Sequence, residues 1–254
     1  MRKKRSRAPL HGFFILKQKQ KEAIQFIKEN CPPEGYFLGF SGGKDSLVLK
    51  HLNELSKVKF KSYYSSTGID PPELVSYIKK NHPEVIFLKP KTSFYKAIVK
   101  KGFPTKFTRW CCDYLKKNPS KTIPLKHRLM GIRAEESAKR AARGKVSKIG
   151  SQFIYKPLFD WTEYEIWEYI DSYKLKYCKL YDEGFHRLGC VVCPFLCYKN
   201  SKPLLHHKQR WPGIYKAFET AMEELYEDRE WYRQRAKGYA YLFEDFLKNW
   251  YEGK

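Results

Sequence analysis

Along the first third of the chain, hydrophobic positions switch between helical spacing and the short unbroken runs of buried strands. The predicted elements are, in order, a helix over Gln18–Asn30, a strand over Tyr36–Phe40, a helix over Leu47–Leu55, a strand over Val58–Tyr64, a helix over Pro71–Asn81 and a strand over Glu84–Leu88. Strands that alternate with helices at this pitch indicate crossover connections. The sequence therefore predicts an α/β fold, an open parallel sheet with helices on both faces.

The rest of the chain predicts a further strand, a loop and a helical end. "HRLMGIRAEES", at His127–Ser137, predicts a strand that ends in polar residues, whereas the basic, glycine-containing stretch Lys139–Ser151 predicts a mobile loop. From Leu204 onwards, apolar residues recur at helical spacing. The predicted division is a basic arm over 1–17, a main domain over 18–200 and a helical extension over 201–254.

Anion-binding residue types gather where the first predicted strand ends, in "SGGKDS" at Ser41–Ser46. Two adjacent glycines let the main chain approach a ligand closely, and N–H groups at the start of the next helix face an anion. Lys44 adds positive charge, and two serines add hydroxyl donors. The loop departs from the Gly-x4-Gly-Lys-[Ser/Thr] pattern at Asp45 and Leu38. A tight turn with glycines for geometry alone is the alternative, but such a turn requires neither the lysine, the aspartate nor the serines.

Ligands of open parallel sheets bind beyond the carboxyl ends of the strands. Two further predicted strands would bring the residues that follow them to the same edge as this loop. The candidate nucleotide-binding residues are Ser41, Gly42, Gly43, Lys44, Asp45, Ser46, Thr67, Gly68, Gly131 and Arg133.

The cysteines predict metal or redox chemistry. The chain has seven, a number that in a cytoplasmic protein argues against a disulfide framework. "WCCDYLKKNP" and "LGCVVCP" place them in close groups, and Cys-x2-Cys is a chelating spacing. An iron–sulfur cluster, a tetrahedral zinc and a group of reduced thiols all remain open. Cys31 and Cys178 are expected to be ordinary buried thiols.

The formal net charge of +23 is extreme for 254 residues and attracts polyanions. Basic runs that contain aromatics, such as "KKGFPTKFTRW" at Lys100–Trp110, suit both phosphate neutralisation and base stacking. A solubilising lysine-rich surface is the alternative. Apolar runs fall short of the roughly 20 residues of a membrane span, and the amino-terminal stretch lacks the features of a signal peptide. We therefore expect a cytoplasmic protein with no membrane partner.

After its strand, "SGGKDS" resembles the pyrophosphate loop of the PP-loop ATP pyrophosphatase superfamily. "SSTGIDPPEL", "GIRAEESAKR", "KPLFDWTEYEIWEYI" and "LYDEGFHRLGCVVCPF" follow in an order that resembles the phosphoadenosine/adenosine phosphosulfate reductase family, from about Phe37 to Pro194. The resemblance implies an adenine nucleotide α-hydrolase-like fold and cleavage of ATP, with Mg²⁺, between the α- and β-phosphates. The implied catalytic residues are Lys44, which holds pyrophosphate with Ser41 and Ser46, Asp45, which places the metal or the loop, and Arg133, which neutralises the α-phosphate.

The same resemblance implies that four cysteines hold a 4Fe–4S cluster, with Lys116 close to it. The implied ligands are Cys111, Cys112, Cys190 and Cys193. Cys197 is a candidate to replace Cys112, because adjacent cysteines are awkward as joint ligands.

Two features depart from reductase chemistry. The reductases attack their substrate with a carboxy-terminal cysteine, but here no cysteine follows Cys197, and Lys44 is retained as ATP would require. The sequence thus predicts an ATP-dependent enzyme that adenylylates a nucleic-acid acceptor, tRNA or DNA, for sulfur transfer, with a sulfur-donor protein as a further partner. One alternative is a sulfonucleotide reductase or ATP sulfurylase-like enzyme on small molecules, with Cys178 or Cys197 as the nucleophile. The other is a non-catalytic protein that binds nucleotide and nucleic acid.

Overall fold

The computed structural model describes residues 10–198, 201–228 and 242–253, and side chains from residue 14 onwards. Its strands are β1 Tyr36–Gly39, β2 Phe60–Ser65, β3 Ile86–Leu88, β4 His127–Met130, β5 Val146–Ile149 and β6 Gln152–Tyr155. Its α-helices are α1 Leu10–Glu29, α2 Lys44–Ser56, α3 Pro72–Asn81, α4 Phe94–Lys101, α5 Trp110–Cys112, α6 Asn118–Lys121, α7 Ala138–Ala141, α8 Glu163–Ser172, α9 Lys202–Arg210, α10 Pro212–Asp228 and α11 Phe243–Glu252.

The chain forms two compact units from interleaved segments. The first unit comprises Met1–Tyr64, Pro72–Phe87 and Ile123–Leu188. The second comprises Ser65–Pro71, Leu88–Thr122 and Gly189–Lys254. The predicted boundaries after residues 17 and 200 stay predictions, and the first nine residues of the predicted arm lie outside the described residues.

The first unit is built on a six-stranded sheet in the order β3-β2-β1-β4-β6-β5. β1 is parallel to β2 and β4, and β4 is parallel to β6, so these strands end at the same edge. Apolar side chains of β1 and α2, among them Leu38 and Leu49, are fully buried, which explains the unbroken apolar run of β1. The predicted α/β fold with a mainly parallel sheet is confirmed.

The prediction of a mobile loop over Lys139–Ser151 is wrong. This stretch contains α7 and then β5, which pairs antiparallel with β6 at the edge of the sheet. Val146 and Ile149, the apolar residues of β5, stand three positions apart, so the sequence shows no strand alternation. The aliphatic stem of a lysine can nevertheless cover apolar surface. The Lys148 ammonium, for example, lies 5.4 Å from the centre of the Phe153 ring on β6.

In the second unit, helices pack through aromatic side chains. The ring centres of Phe94 on α4 and Phe218 on α10 are 6.2 Å apart, and Phe218 lies 4.5 Å from Trp250 on α11. The predicted helices after Leu204 are therefore confirmed in the described part of this region. Across the described residues, every helix is too short or too polar to cross a lipid bilayer.

Candidate active site

The loop between β1 and α2, Ser41–Ser46, is here called the phosphate loop. It is closed by short hydrogen bonds among its own residues: the Ser46 hydroxyl accepts the Ser41 N–H at 3.1 Å and donates to the Gly43 carbonyl at 2.9 Å. The Gly43 N–H in turn donates to Ser41 Oγ at 3.3 Å. The serines predicted to bind a ligand therefore also fix the main chain around the position where a ligand would sit.

At two glycines of the site, a Cβ would lie too close to neighbouring atoms. Gly42 has φ +71°, and a Cβ there would lie 2.7 Å from Leu74 and 2.8 Å from Ile78. Gly131, just after β4, approaches the loop from the side, because a Cβ on it would lie 3.0 Å from the Asp45 carbonyl carbon. The structure thus brings Gly131 against the phosphate loop, as predicted from the strand ends.

Two buried cations lie at the start of α2, and carboxylates hold both. Lys44 is 6% exposed, with its Nζ 3.5 Å from Asp45 and 3.6 Å from Glu163. Arg133 is 4% exposed, and its Nε donates to Asp45 Oδ1 at 2.6 Å while its second nitrogen binds Glu135. Burial lowers the pKa of Arg133, but the Asp45 and Glu135 carboxylates outweigh it and raise the pKa above its usual value. The guanidinium is therefore charged at every physiological pH.

Sequence reasoning missed the Tyr181 side chain at this site. Its hydroxyl accepts the Lys44 N–H at 3.0 Å, and its ring centre lies 5.8 Å from Lys44 Nζ. Burial raises the pKa of Tyr181, so the phenol is neutral. The tyrosine occupies the first N–H of α2, where Gly43 has no side chain to cap the helix.

Glu163 was also missed, although the sequence carried a signal for its position. Thr162 and Glu165 form a reciprocal capping box that starts α8 at Glu163. The Glu163 N–H donates to Glu135 at 2.7 Å, which ties the start of α8 to the residue that holds Arg133. A Thr-x-x-Glu pattern before an apolar helix would have located this helix start.

The second group of predicted site residues lies in the second unit. Cys111 and Cys112 form the end of α5, and a π-helical turn, Asp113–Lys117, follows at once. We use the name cysteine set for Cys111, Cys112, Cys190 and Cys193. A hydrogen bond from Cys111 lowers the pKa of the Cys112 thiol. The same hydrogen bond raises the pKa of Cys111, as do burial and the nearby thiols of Cys112, Cys190 and Cys193.

Lys116, on the π-helical turn, is the cation of the cysteine set. Its ammonium is hydrogen-bonded to Cys190, which raises the pKa of Lys116, and its charge also acts on Cys112. π-turns are frequent at functional sites. In the described residues, no group of three or more His, Cys, Asp or Glu side chains is arranged to hold a metal ion. The thiols of the cysteine set are nevertheless neighbours.

Thr67 and Gly68 belong to the second unit, with the cysteine set. Cys190 Sγ donates to Thr67 Oγ1 at 3.7 Å, and the Val191 N–H donates to the Ile69 carbonyl at 2.8 Å. Asp70, also missed by sequence reasoning, accepts the Thr67 N–H at 2.7 Å and fixes this turn. A nucleotide-binding role for Thr67 and Gly68 stays a prediction.

Comparison with known proteins identifies relatives over most of the chain. The family profile described as "Phosphoadenosine phosphosulfate reductase domain" matches residues 35–196. An uncharacterized protein of Methanocaldococcus jannaschii is 30% identical over 228 residues, which is 81% of this chain and 55% of that protein. A probable FAD synthase of Caenorhabditis elegans is 33% identical over 193 residues, which is 74% of this chain and 36% of that protein. The chain thus spans about half the length of the first curated relatives that it matches.

A solved structure has a similar fold. Candida glabrata FMN adenylyltransferase, in complex with FAD and inorganic pyrophosphate, matches with a TM-score of 0.54 at 16% identity. The match covers 78% of this chain and 71% of that chain. At this level of identity the likeness concerns the nucleotide-binding α/β fold alone.

Proposed function

The chain belongs to the phosphoadenosine phosphosulfate reductase domain family, a family of PP-loop enzymes, and from this premise we propose that it adenylylates a nucleic-acid acceptor ahead of sulfur transfer. The observation that carries the proposal is the pair of buried cations, Lys44 and Arg133, at the start of α2. A buried charge is costly unless it is paired, and both are held by carboxylates at the phosphate loop.

The proposed reaction is in-line attack by an acceptor oxygen on the α-phosphorus of ATP. The new oxygen–phosphorus bond forms as the bond to the bridging oxygen of the β-phosphate breaks, and pyrophosphate leaves with that electron pair. The Lys44 ammonium and the N–H groups of α2 that follow the one held by Tyr181 bind the leaving pyrophosphate. Arg133 uses N–H donors beyond those engaged by its carboxylates to bind the α-phosphate. Mg²⁺ would be held mainly by the phosphates of ATP, and Asp45 is the carboxylate of the loop that could bind it as well.

The nucleic-acid acceptor is supported by charge. The sequence carries +23, a field that a small-molecule reaction does not need but that attracts a polyanion. A second candidate, adenylyl transfer to a small phosphorylated molecule, is favoured by the relative named as a probable FAD synthase. Both reactions release pyrophosphate from ATP, and the identity of the acceptor separates them.

We further propose that the cysteine set holds a 4Fe–4S cluster. Thiolates are the ligands of such clusters, and the thiols of Cys112, Cys190 and Cys193 all lie near that of Cys111. Cys197 remains the alternative fourth ligand, since its Sγ donates to the Cys193 carbonyl at 3.9 Å. When bound, the cluster would supply a site that carries or delivers sulfur. A sulfur-donor protein and a cytoplasmic location complete the proposal.

The test combines metal analysis with product analysis. Protein purified without oxygen should contain about four iron atoms per chain and absorb broadly near 400 nm. With α-labelled ATP it should release AMP and pyrophosphate, and with tRNA or DNA it should transfer label to the nucleic acid. Colourless protein with one zinc would refute the cluster. Release of ADP and phosphate would refute adenylylation, and label transfer to a flavin or another small molecule would favour the second candidate. Sulfite formed from adenosine phosphosulfate would instead favour a reductase.

A further inference from the structure

Phe107 is the most exposed large apolar side chain in the described part of the molecule, at 88%. An aromatic ring in water costs free energy that burial against a partner recovers. The segment around it, Lys100–Trp110, contains lysines and an arginine but no acidic residue. The exposed ring therefore lies in a positively charged stretch.

The turn that carries Phe107 is fixed by hydrogen bonds. Thr105 Oγ1 accepts the N–H groups of Phe107 at 3.2 Å and of Thr108 at 2.8 Å. The indole of Trp110 donates to the Gly102 carbonyl at 3.1 Å, and that of buried Trp250 donates to Pro104 at 2.7 Å. Because hydrogen bonds already fix this turn, binding of a partner to the exposed ring costs little further conformational entropy.

Arg109 and Phe195 make a second planar surface in the same unit. The Arg109 guanidinium lies 5.2 Å from the centre of the Phe195 ring, which is itself half-exposed. A guanidinium over an aromatic ring presents a flat cationic face. We use the name aromatic patch for Phe107, Arg109 and Phe195.

Two members of the aromatic patch, Arg109 and Phe195, adjoin the cysteine set. The Cys112 N–H donates to the Arg109 carbonyl at 3.1 Å, and the charge of Arg109 acts on the Cys112 thiol. Phe195 follows Cys193 by two residues, and its N–H is hydrogen-bonded to the Cys193 thiol. A ligand on the patch would therefore lie next to the thiols.

We infer that the aromatic patch binds an unpaired nucleotide of a single-stranded nucleic acid and holds it beside the cysteine set. The inference rests on the proposed function, whose acceptor it narrows to an unstacked base. Faces of bases are covered within a duplex, whereas in single strands they are free to stack on aromatic rings and on arginine. Arg109 adds a charge for the adjoining phosphate. A protein partner would bury Phe107 as well, but nothing in this stretch other than its positive charge selects a partner, and that charge selects a polyanion.

The test is binding of fluorescent oligouridylate, oligothymidylate and a DNA duplex of equal length to the full chain. Phe107→Ala should bind the single strands about 5- to 150-fold more weakly, since stacking of one base contributes that much. Its salt dependence should match that of the wild type, because no charge is lost. Phe107→Trp should restore the affinity. Phe14→Ala on α1, where the ring is 68% exposed, is the matched control and should bind like the wild type.

A second variant separates stacking from charge. Arg109→Lys should weaken single-strand binding and leave its salt dependence intact, because lysine keeps the charge but not the planar face. The inference would be overturned if Phe107→Ala bound with wild-type affinity, or if it lost affinity equally for duplex and single strands. It would also be overturned if the wild type bound no nucleic acid. Release of AMP and pyrophosphate is measured on the same samples, so failure of the patch is distinguished from failure of the adenylylation chemistry.

Discussion

The phosphate loop and the cysteine set differ in how their residues are brought together. In the loop, hydrogen bonds of 2.9–3.3 Å join residues two to five positions apart, and the cations already have carboxylate partners. The cysteine set comes from stretches far apart in sequence, and no described group of donors is arranged to hold a metal ion.

The difference follows from what each region is proposed to bind. Phosphate is recognised by N–H donors and charges, which the main chain can fix on its own. Thiolates repel one another, so a ligand set closes only around the metal that it binds. A substitution in the phosphate loop should therefore reduce the rate of ATP turnover without unfolding the protein. A substitution in the cysteine set should instead remove the bound metal.

The largest expected effect is that of Lys44→Met on ATP turnover. Loss of one donor that stabilises charge in the transition state reduces the rate about 100- to 1000-fold, and we expect such a loss in the rate of pyrophosphate release. Iron content should not change, because Lys44 and the cysteine set lie in different units.

Lys50→Met is the matched control for this variant. Lys50 is equally buried on the same helix and is likewise held by two carboxylates, Glu54 and Glu84, the latter at 2.8 Å. Its turnover should stay within a few-fold of the wild type, once unfolding is checked by circular dichroism. An equal loss in both variants would mean that α2 is merely destabilised.

Cys190→Ser should reduce iron from about four atoms per chain to less than one, since a cluster with a missing thiolate ligand is lost. Pyrophosphate release without acceptor should persist. Cys31→Ser, a half-buried thiol of the first unit, is the control and should keep its iron. Full iron content in Cys190→Ser would remove this residue from the ligand set, and a parallel Cys197→Ser variant would then identify the replacement.

Gly131→Ala should raise the KM for ATP about tenfold, because the new Cβ pushes on the main chain of Asp45 and Ser46 at 3.0–3.2 Å. A misplacement of this size in a binding loop is costly. Gly213→Ala, where a Cβ meets nothing within 4 Å, is the control. An unchanged KM in Gly131→Ala would show that the phosphate loop can shift to accommodate the new Cβ, and so is less rigid than its hydrogen bonds indicate.

A fall in pH should have the smallest effect, a loss of folding stability through His51 on α2. Burial lowers the pKa of His51, whose ring nitrogen is 2.8 Å from the Tyr169 hydroxyl. The unfolded histidine takes up a proton below about pH 6.5 while the folded one does not, so stability falls as pH falls, by at most about 1.4 kcal/mol per pH unit. Urea unfolding at pH 7.5 and 5.5 should show this slope together with that of His82 and His207, whose pKa values burial also lowers, and His51→Gln should reduce the total. Exposed His186→Gln should retain it.

The sequence predicted the parts of the site that are contiguous. The phosphate loop was found because its residues stand side by side after one apolar run, and the parallel strands followed from spacing alone. The start of α2 was predicted three residues late, at Leu47, since Lys44–Ser46 carry no apolar period. Tyr181 could not be found in this way, because the contact joins residues 137 positions apart.

The cysteine set shows the same limit of prediction from sequence. The spacing within each pair of cysteines could be predicted from the sequence. The interaction of Lys116 with Cys190 could not, because Lys116 lies on a π-helical turn and the two residues are far apart in the chain. β5 was missed because its two apolar residues, Val146 and Ile149, stand three positions apart and show no alternation. Sequence thus predicts local chemistry well, and predicts contacts across the chain only where strand order implies them.

The interleaving of the two units sets the order in which each becomes complete on the ribosome. The segments of the first unit end at Leu188, and the second unit still lacks its segment from Gly189 onwards at that moment. At about 5–20 residues per second, that helical segment takes seconds to emerge. The segments of the first unit are therefore all synthesised first, while Cys111 and Cys112 remain without Cys190 and Cys193 until the last segment follows.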